Sequence, residues 1–372
     1  MQIIEVPDQA SIKYGQLWDG LSEIIYSNGI LNITNGFIKA INAHTSKEGF
    51  VFDYSHATLM PALIDSHIHL AFPYEDTQPL AQRAQQYLQA GVVAARDGGN
   101  TCGKLSVNSP FLLLQSIGAI YKKGHYGSAL GYSVTNLSQA LQLVDKLASL
   151  GAQHIKVVAS GIFSFKSYGK TGTATFSASE LRSIVDRAAV HKLPVMVHAS
   201  GDEAVRRCLE AGVDTIEHGY FMTRETLKRL AASDSYWIPT LSPVNAQLAK
   251  PELFDALTPT MRDVITRSLI YHQELIAEGF ALGAKILAGT DAGAPGVLHG
   301  ISLIEEIMLL HNAGLSPLAA LQAATSRAAQ ACRQTLMGSL APGKKPYILV
   351  LKDNPLKNIK TLFSPEALLI PA

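Results

Sequence analysis

The chain has 372 residues, of which 47% are hydrophobic and 16% charged, with a formal net charge of +1. Such a composition belongs to a globular protein with a large core, and the length exceeds that of most single domains unless the domain is an α/β barrel with additions. A net charge so close to zero offers no field that would gather nucleic acid or an anionic membrane, and no apolar run reaches the roughly 18 residues of a membrane span. Cys102, Cys208 and Cys332 are far apart and form no Cys-x-x-Cys pair, so neither a disulfide framework nor a thiolate metal site is expected. Residues 1–14 include acidic side chains and lack the apolar stretch of a secretory signal. A cytoplasmic protein with a small-molecule partner is the expectation, with a homo-oligomer left open.

Residues 1–57 read as short strands and turns, with Asn28-Gly29 and Asn35-Gly36 placed between apolar runs as hairpin signals. From Leu59 onward, short apolar runs alternate with helical periodicities. Strands are predicted at 59–66, 92–96, 111–120, 154–159, 194–198, 215–217, 236–241 and 285–288. Helices are predicted at 76–90, 137–150, 177–191, 202–211, 224–232, 259–279, 301–313 and 317–332. Strand–helix alternation of this length predicts an α/β fold of the (β/α)8 TIM-barrel type over 58–337, whose functional groups collect at the C-terminal ends of the strands. Residues 338–372 return to strands through Pro and Gly punctuation. They are expected to join 1–57 in a small β-sandwich domain.

The polar residues at the strand ends carry the functional reading. His67 and His69 finish the apolar run 59–66, and side chains two apart on a strand share a face, so the pair forms half of a metal site. Lys156 interrupts the apolar run Ile155-Lys-Val-Val158, where an unpaired amine is costly and must be neutralised or modified. His198, His218 and Asp291 end three further predicted strands. Each alone reads more readily as a hydrogen-bonded structural residue; six such groups on five strands of one barrel point to a shared site.

With these residues in place, the chain resembles the amidohydrolase superfamily. The resemblance rests on Met60-Pro-Ala-Leu-Ile-Asp-Ser-His-Ile-His69, Gly212-Val-Asp-Thr-Ile-Glu-His-Gly219, Ala288-Gly-Thr-Asp291 and Gly338-Ser-Leu-Ala-Pro-Gly343. Within the superfamily the chain looks most like the imidazolonepropionase-like proteins and the metal-dependent Xaa-Pro or Xaa-Arg dipeptidases, including prolidase-like members. Ala62 stands where a Gly usually follows the proline, and the tail lacks the usual Asp after Gly343.

The resemblance implies a binuclear metal centre with a bridging hydroxide. Lys156 would be carboxylated by CO2 or bicarbonate to N6-carboxylysine, and His67, His69, Lys156, His198, His218 and Asp291 would bind two divalent ions, Zn2+ first, with Mn2+, Co2+ or Fe2+ as substitutes. Asp291 would move the proton. The implied reaction is hydrolysis of an amide bond in a dipeptide or N-acyl amino acid. The same centre would also suit a lactone, a phosphotriester or a cyclic amide or amidine, and a non-enzymatic barrel is the third reading.

Substrate contacts are expected from the loops after the strands. Residues 161–176, glycine-hinged and aromatic, read as a lid, with Tyr168, Lys166 and Lys170 able to meet a carboxylate. Tyr220 and His299 are placed for the substrate as well. His44, His56, His125, His191, His272 and His311 read as surface or capping groups, and His154 as a residue deeper in the barrel. Glu217, next to His218, is expected to point away from it toward the helices, and Asp97 to orient a ligand.

Overall fold

The computed structural model describes residues 1–43, 49–72, 78–107, 110–254 and 256–372. The strands are β1 Gln2–Val6, β2 Ala10–Trp18, β3 Ile25–Thr34, β4 Phe37–Ala43, β5 Phe50–Pro61, β6 Leu63–Ile68, β7 Val92–Asp97, β8 Leu112–Gln115, β9 Ala119–Lys122, β10 Gly131–Val134, β11 Ile155–Val158, β12 Val195–Ala199, β13 Thr215–His218, β14 Tyr236–Ile238, β15 Lys285–Ile286, β16 Ile348–Leu351 and β17 Ala367–Pro371. The helices are α1 Leu80–Gln89, α2 Leu137–Ser149, α3 Ala178–Val190, α4 Asp202–Ala211, α5 Arg224–Ala231, α6 Ser242–Ala249, α7 Pro259–Ala281, α8 Ile301–Asn312, α9 Pro317–Gln322 and α10 Ser326–Ala331.

Two arcs of parallel strands, β6-β7-β8 and β10-β9-β11-β12-β13-β14-β15, form a TIM-barrel-like α/β fold with the helices. Backbone hydrogen bonds also cross the gaps between the arcs. Ser66 N donates to Ala288 O at 3.0 Å and His69 N to Ala292 O at 2.7 Å, while Gln153 N donates to Gln115 O at 2.9 Å. Helix starts follow the capping chemistry written in the sequence: Ser177 accepts from Glu180 N while the Glu180 carboxylate accepts from Ser177 N, and Asn136, Thr223, Thr258 and Ser316 cap α2, α5, α7 and α9.

Both ends of the chain meet in one seven-stranded sheet, ordered β1-β17-β16-β5-β2-β3-β4. Gln2 pairs in parallel with Ala367. Period-two alternation divides this sheet between two cores. Ile348, Val350 and Leu369 pack with Ile12, Leu31 and Leu59 on one face, whereas Leu349, Leu351 and Leu368 pack into the barrel core on the other. Gly91, at φ +77°, lies against Leu349 so closely that a Cβ there would stand 2.6 Å from its Cδ1.

Several local expectations change. Asn35-Gly36 makes the β3–β4 turn, but Asn28-Gly29 lies inside β3, because the missing Cβ of Gly29 makes room for the Tyr14 hydroxyl and Asn28 absorbs the bend at φ +52°. The run 111–120 divides into β8 and β9, with Ile117 at φ +68° between them. The helix 317–332 divides into α9 and α10. β10 and α6 were not foreseen. The first residues of the expected helix 76–90, and His44, lie outside the described residues. Among the described residues no helix is long and apolar enough to cross a membrane.

Leu349 is fully buried at the junction of sheet and barrel. Leu349→Ala is expected to lower stability by about 2–5 kcal/mol. Urea unfolding followed by circular dichroism measures it, and an unchanged midpoint would show that the two cores are not coupled there.

Candidate metal centre

Six side chains that the sequence singles out gather at the C-terminal ends of the barrel strands. His67 and His69 leave β6, Lys156 rises from β11, His198 and His218 end β12 and β13, and Asp291 follows β15. The ring centroids of His67 and His69 are 5.4 Å apart, those of His67 and His218 5.1 Å, and those of His198 and His218 4.4 Å. Asp291 Oδ1 lies 3.2 Å from His69 Nε2 and 3.5 Å from His67 Nε2. One ligand atom each from His67, His218 and Asp291 falls within 4.8 Å of the others.

The strand ends achieve this by leaving the extended conformation. His218, Thr240 and Asp291 have φ of +67°, +50° and +56°, a region rarely occupied by residues other than Gly and often found at functional sites. The turn at His218 explains why Glu217 is not helix-facing as expected. Glu217 points inward with Thr215, two residues before it, and the kink after Glu217 brings His218 to the same mouth despite pleat alternation.

A surrounding layer of hydrogen bonds fixes the imidazoles. His67 Nδ1 lies 2.7 Å from Glu217 Oε2, whose other oxygen accepts from Arg96 Nη2 at 3.1 Å, so the proton sits on Nδ1. His69 Nδ1 donates to the Gly99 carbonyl at 2.9 Å. Thr240 donates its hydroxyl proton to Pro239 O at 2.8 Å and therefore accepts from His218 Nδ1 at 2.7 Å. In His67 and His218 Nε2 is left as the bare nitrogen, which is the state a metal ligand requires, whereas His69 Nε2 meets Asp291 Oδ1 at 3.2 Å. His198 is turned the other way, its Nε2 lying 3.5 Å from the Gly161 carbonyl. Asp65 holds the two sides of the site in register, accepting from His67 N at 3.2 Å and from Thr290 N at 3.0 Å. Asp97 accepts from Leu70 N at 2.8 Å and Gly99 N at 2.9 Å, bracing the chain on both sides of His69.

Burial dominates the electrostatics. It lowers His67 and His218 well below the ordinary histidine range and His198 to about 3, keeping these rings neutral. His69 moves the other way: burial lowers it, but the Asp291 carboxylate beside it outweighs that effect. For Asp291 burial pushes upward, and His67, His69 and Lys156 overcome it to hold the carboxyl below its usual range. Burial brings the Lys156 ammonium down to about 8.

Lys156 Nζ and His67 Nε2 are buried without a hydrogen-bond partner. Bare imidazole nitrogens, a carboxylate and an orphaned amine around one point form a donor set that fits divalent metal. A cavity of about 370 Å³ opens above it and reaches His69, Lys156, His198, His218 and Asp291. Tyr220 lines this cavity and stacks on His272, with ring centroids 3.7 Å apart, so it serves both the wall and the core. His272 is therefore fully buried, not a surface group.

Four expected substrate contacts are not in the cavity. Tyr168 is displaced because the loop turns its aromatic half, Phe163 and Phe165, inward; Tyr168 packs outside, under Arg267, 4.2 Å from its ring centroid. Lys166 and Lys170 are exposed with it. His299 faces a separate surface groove and bonds the Tyr87 hydroxyl at 3.0 Å. His154 lies deeper, as expected, with Nε2 donating to Asp97 O at 2.9 Å. Arg96, Thr240 and Asp65 were not assigned from sequence, although Arg96 and Asp65, like Glu217, are charges inside apolar strands.

Comparison with known proteins matches residues 58–368 to the Amidohydrolase family. The chain belongs to this family. Among relatives of this amidohydrolase, an ochratoxinase from Aspergillus niger is 25% identical over 279 residues, 74% of this chain. The match spans about half (54%) of the ochratoxinase's length. An imidazolonepropionase from Salinispora tropica is 24% identical over 329 residues, 80% of this chain and 79% of that one. A solved Xaa-Pro dipeptidase with methionine bound in its active site superposes with a TM-score of 0.84 at 24% identity, covering 97% of this amidohydrolase and 98% of the dipeptidase, which establishes likeness of fold.

Because Glu217 sets the His67 tautomer, Glu217→Gln in this amidohydrolase is expected to weaken zinc binding by about 10–100-fold. Competition with a chromophoric chelator measures it. Unchanged affinity would remove Glu217 from the support of the site.

Proposed function

We propose that this protein is a metal-dependent hydrolase that cleaves an amide bond of the kind found in dipeptides and N-acyl amino acids, using a binuclear centre in a closed (β/α)8 barrel. The barrel occupies residues 58–337, and residues 1–57 and 338–372 build the β-sandwich beside it. Backbone bonds across the gaps between the two arcs support closure, and the core that the seven-stranded sheet closes over by itself, around Ile12, Leu31, Leu59 and Ile348, supports a separate terminal β domain.

The observation that carries the reading is the Lys156 amine, buried without a partner among four imidazoles and a carboxylate. With its ammonium lowered to about 8, a fraction of the amine is free near neutral pH. That amine adds to CO2 and gives up one proton, becoming a carbamate anion with two oxygens. His67, His69 and Asp291 would hold one ion and His198 and His218 the other, with the Lys156 carbamate reaching both. When bound, two divalent ions supply an acidified water and a polarised carbonyl.

The remaining work belongs to the chain. Asp291, held ionised by its neighbours, takes the proton of the attacking water and delivers it to the leaving nitrogen. Glu217, Gly99 and Thr240 keep three imidazoles in one tautomer throughout. Phe163 and Phe165 shield the reacting bond from bulk water.

Lys156→Ala is expected to lose bound zinc and at least about 100-fold in turnover, with partial rescue by short carboxylic acids that replace the carbamate. Metal analysis and amide-hydrolysis assays of the variant check this, and full activity without added acid would refute the carbamate. Reloading the metal-stripped chain with zinc at a fixed concentration of dissolved CO2 is expected to accelerate as pH rises toward about 8 and to level off above it, because only the deprotonated amine reacts. A rate independent of pH in that window would place the modification elsewhere.

A further inference from the structure

The cavity above the six residues has an unusual balance for a site expected to receive amino-acid derivatives. Its upper wall is built from Phe72, Phe163, Phe165, Val244, Phe254 and Leu257. Among the described residues lining it, Lys156 is the sole lysine or arginine, and it sits at the floor. Of the wall's polar groups, Thr240 is held between Pro239 O and His218, and Gln247 Nε2 donates to Pro243 O at 3.3 Å, while Tyr126, Ser200 and Tyr220 contribute hydroxyls but no charge.

Nearby cations are also committed elsewhere. Lys250 Nζ donates to Gly296 O at 2.7 Å, and Arg267 stacks on Tyr168 and pairs with Asp263 at 3.6 Å. A carboxylate packed against this apolar wall would lose its hydration shell with no lysine or arginine among the described lining residues above the floor to replace it, which is strongly unfavourable. Apolar arms gain there in proportion to the area they bury. A free ammonium would be equally stranded, since Asp291 is the sole carboxylate of a described residue lining the cavity and is occupied by His69.

We infer that the substrate is an uncharged amide with apolar or aromatic arms on both sides of the scissile bond, an N-acyl arylamine or alkylamine, and not a zwitterionic dipeptide or an N-acyl amino acid with its carboxylate free. The inference rests on the hydrolase reading above and narrows it. Under that reading the Lys156 carbamate is itself an anion and the two divalent ions at the floor would be taken up by the reacting carbonyl and water, so no lysine or arginine of the described lining is left for a substrate carboxylate.

A matched pair of probes separates the two classes: N-benzyl phenylacetamide, and N-phenylacetyl-phenylglycine, which differs from it by one carboxylate. Their ketomethylene analogues, in which CH2 replaces the amide N–H, cannot be cleaved and report binding alone. Calorimetry on the zinc-loaded full-length chain is expected to show the neutral ketone bound at least tenfold more tightly than its acid. Turnover is expected to favour the neutral amide likewise.

Equal or tighter binding of the acid, preferential cleavage of the acid, or no binding of either ketone would overturn the inference. Binding preference for the neutral ketone with no cleavage of either amide would overturn the hydrolase reading and leave the pocket's preference standing. Leu257→Lys, at a partly exposed position on the rim, is expected to tighten acid binding and to shift the ratio of acid to neutral-ketone affinity at least about tenfold toward the acid. Acid binding unchanged in a folded Leu257→Lys chain would show that charge in the wall does not set the preference.

Discussion

Removal of water from ionisable groups packed side by side is the constraint on which the rest of the structure depends. Three of the four imidazoles, the amine and the carboxylate at the strand ends all respond to burial, and each settles into the protonation state that costs least in that company. The imidazoles of His67, His198 and His218 stay neutral, His69 and Asp291 support one another, and the Lys156 amine is pressed toward its neutral form. The responses of His67, His198, His218, Lys156 and Asp291 each prepare a group to give electrons to a cation. An arrangement assembled only for stability would be better served by apolar side chains of similar volume.

Protonation alone does not make a ligand; direction matters equally. The layer formed by Glu217, Arg96, Gly99 and Thr240 binds one nitrogen of each of three rings, and so decides which nitrogen is bare. Asp65 ties the ends of two sequence-distant segments together through His67 and Thr290. The site is thereby anchored to the strand framework, and the loops are free to shape the cavity above it.

The barrel and the six polar residues were legible because both depend on local signals: an apolar run gives the strand, and a charge or imidazole at its end is conspicuous there. Strand and helix positions followed for the same reason, with α4 matching its expected bounds at Asp202–Ala211. What the sequence concealed was what depends on backbone torsion and distant packing. Glu217 reads as outward-facing if β13 stays pleated to its end, and only the left-handed turn at His218 brings both residues to the interior. Thr240 and Arg96 acquire their roles from partners 22 and 121 residues away. The loop 161–176 reads as a glycine-hinged, aromatic lid, but periodicity does not say which of its rings faces in, and Tyr168 faces out.

The pairing of Gln2 with Ala367 has a consequence for how the polypeptide is made. During ribosomal synthesis β1 is made long before its neighbour β17, so the sheet they share stays incomplete while the helices and parallel strands between them are already able to collapse. The apolar edge of β16 and β17, divided between two cores, then docks as a late clasp. A nascent chain stalled shortly before Ala367 would present Ile12, Leu31 and Leu59 uncovered, a surface that chaperones recognise.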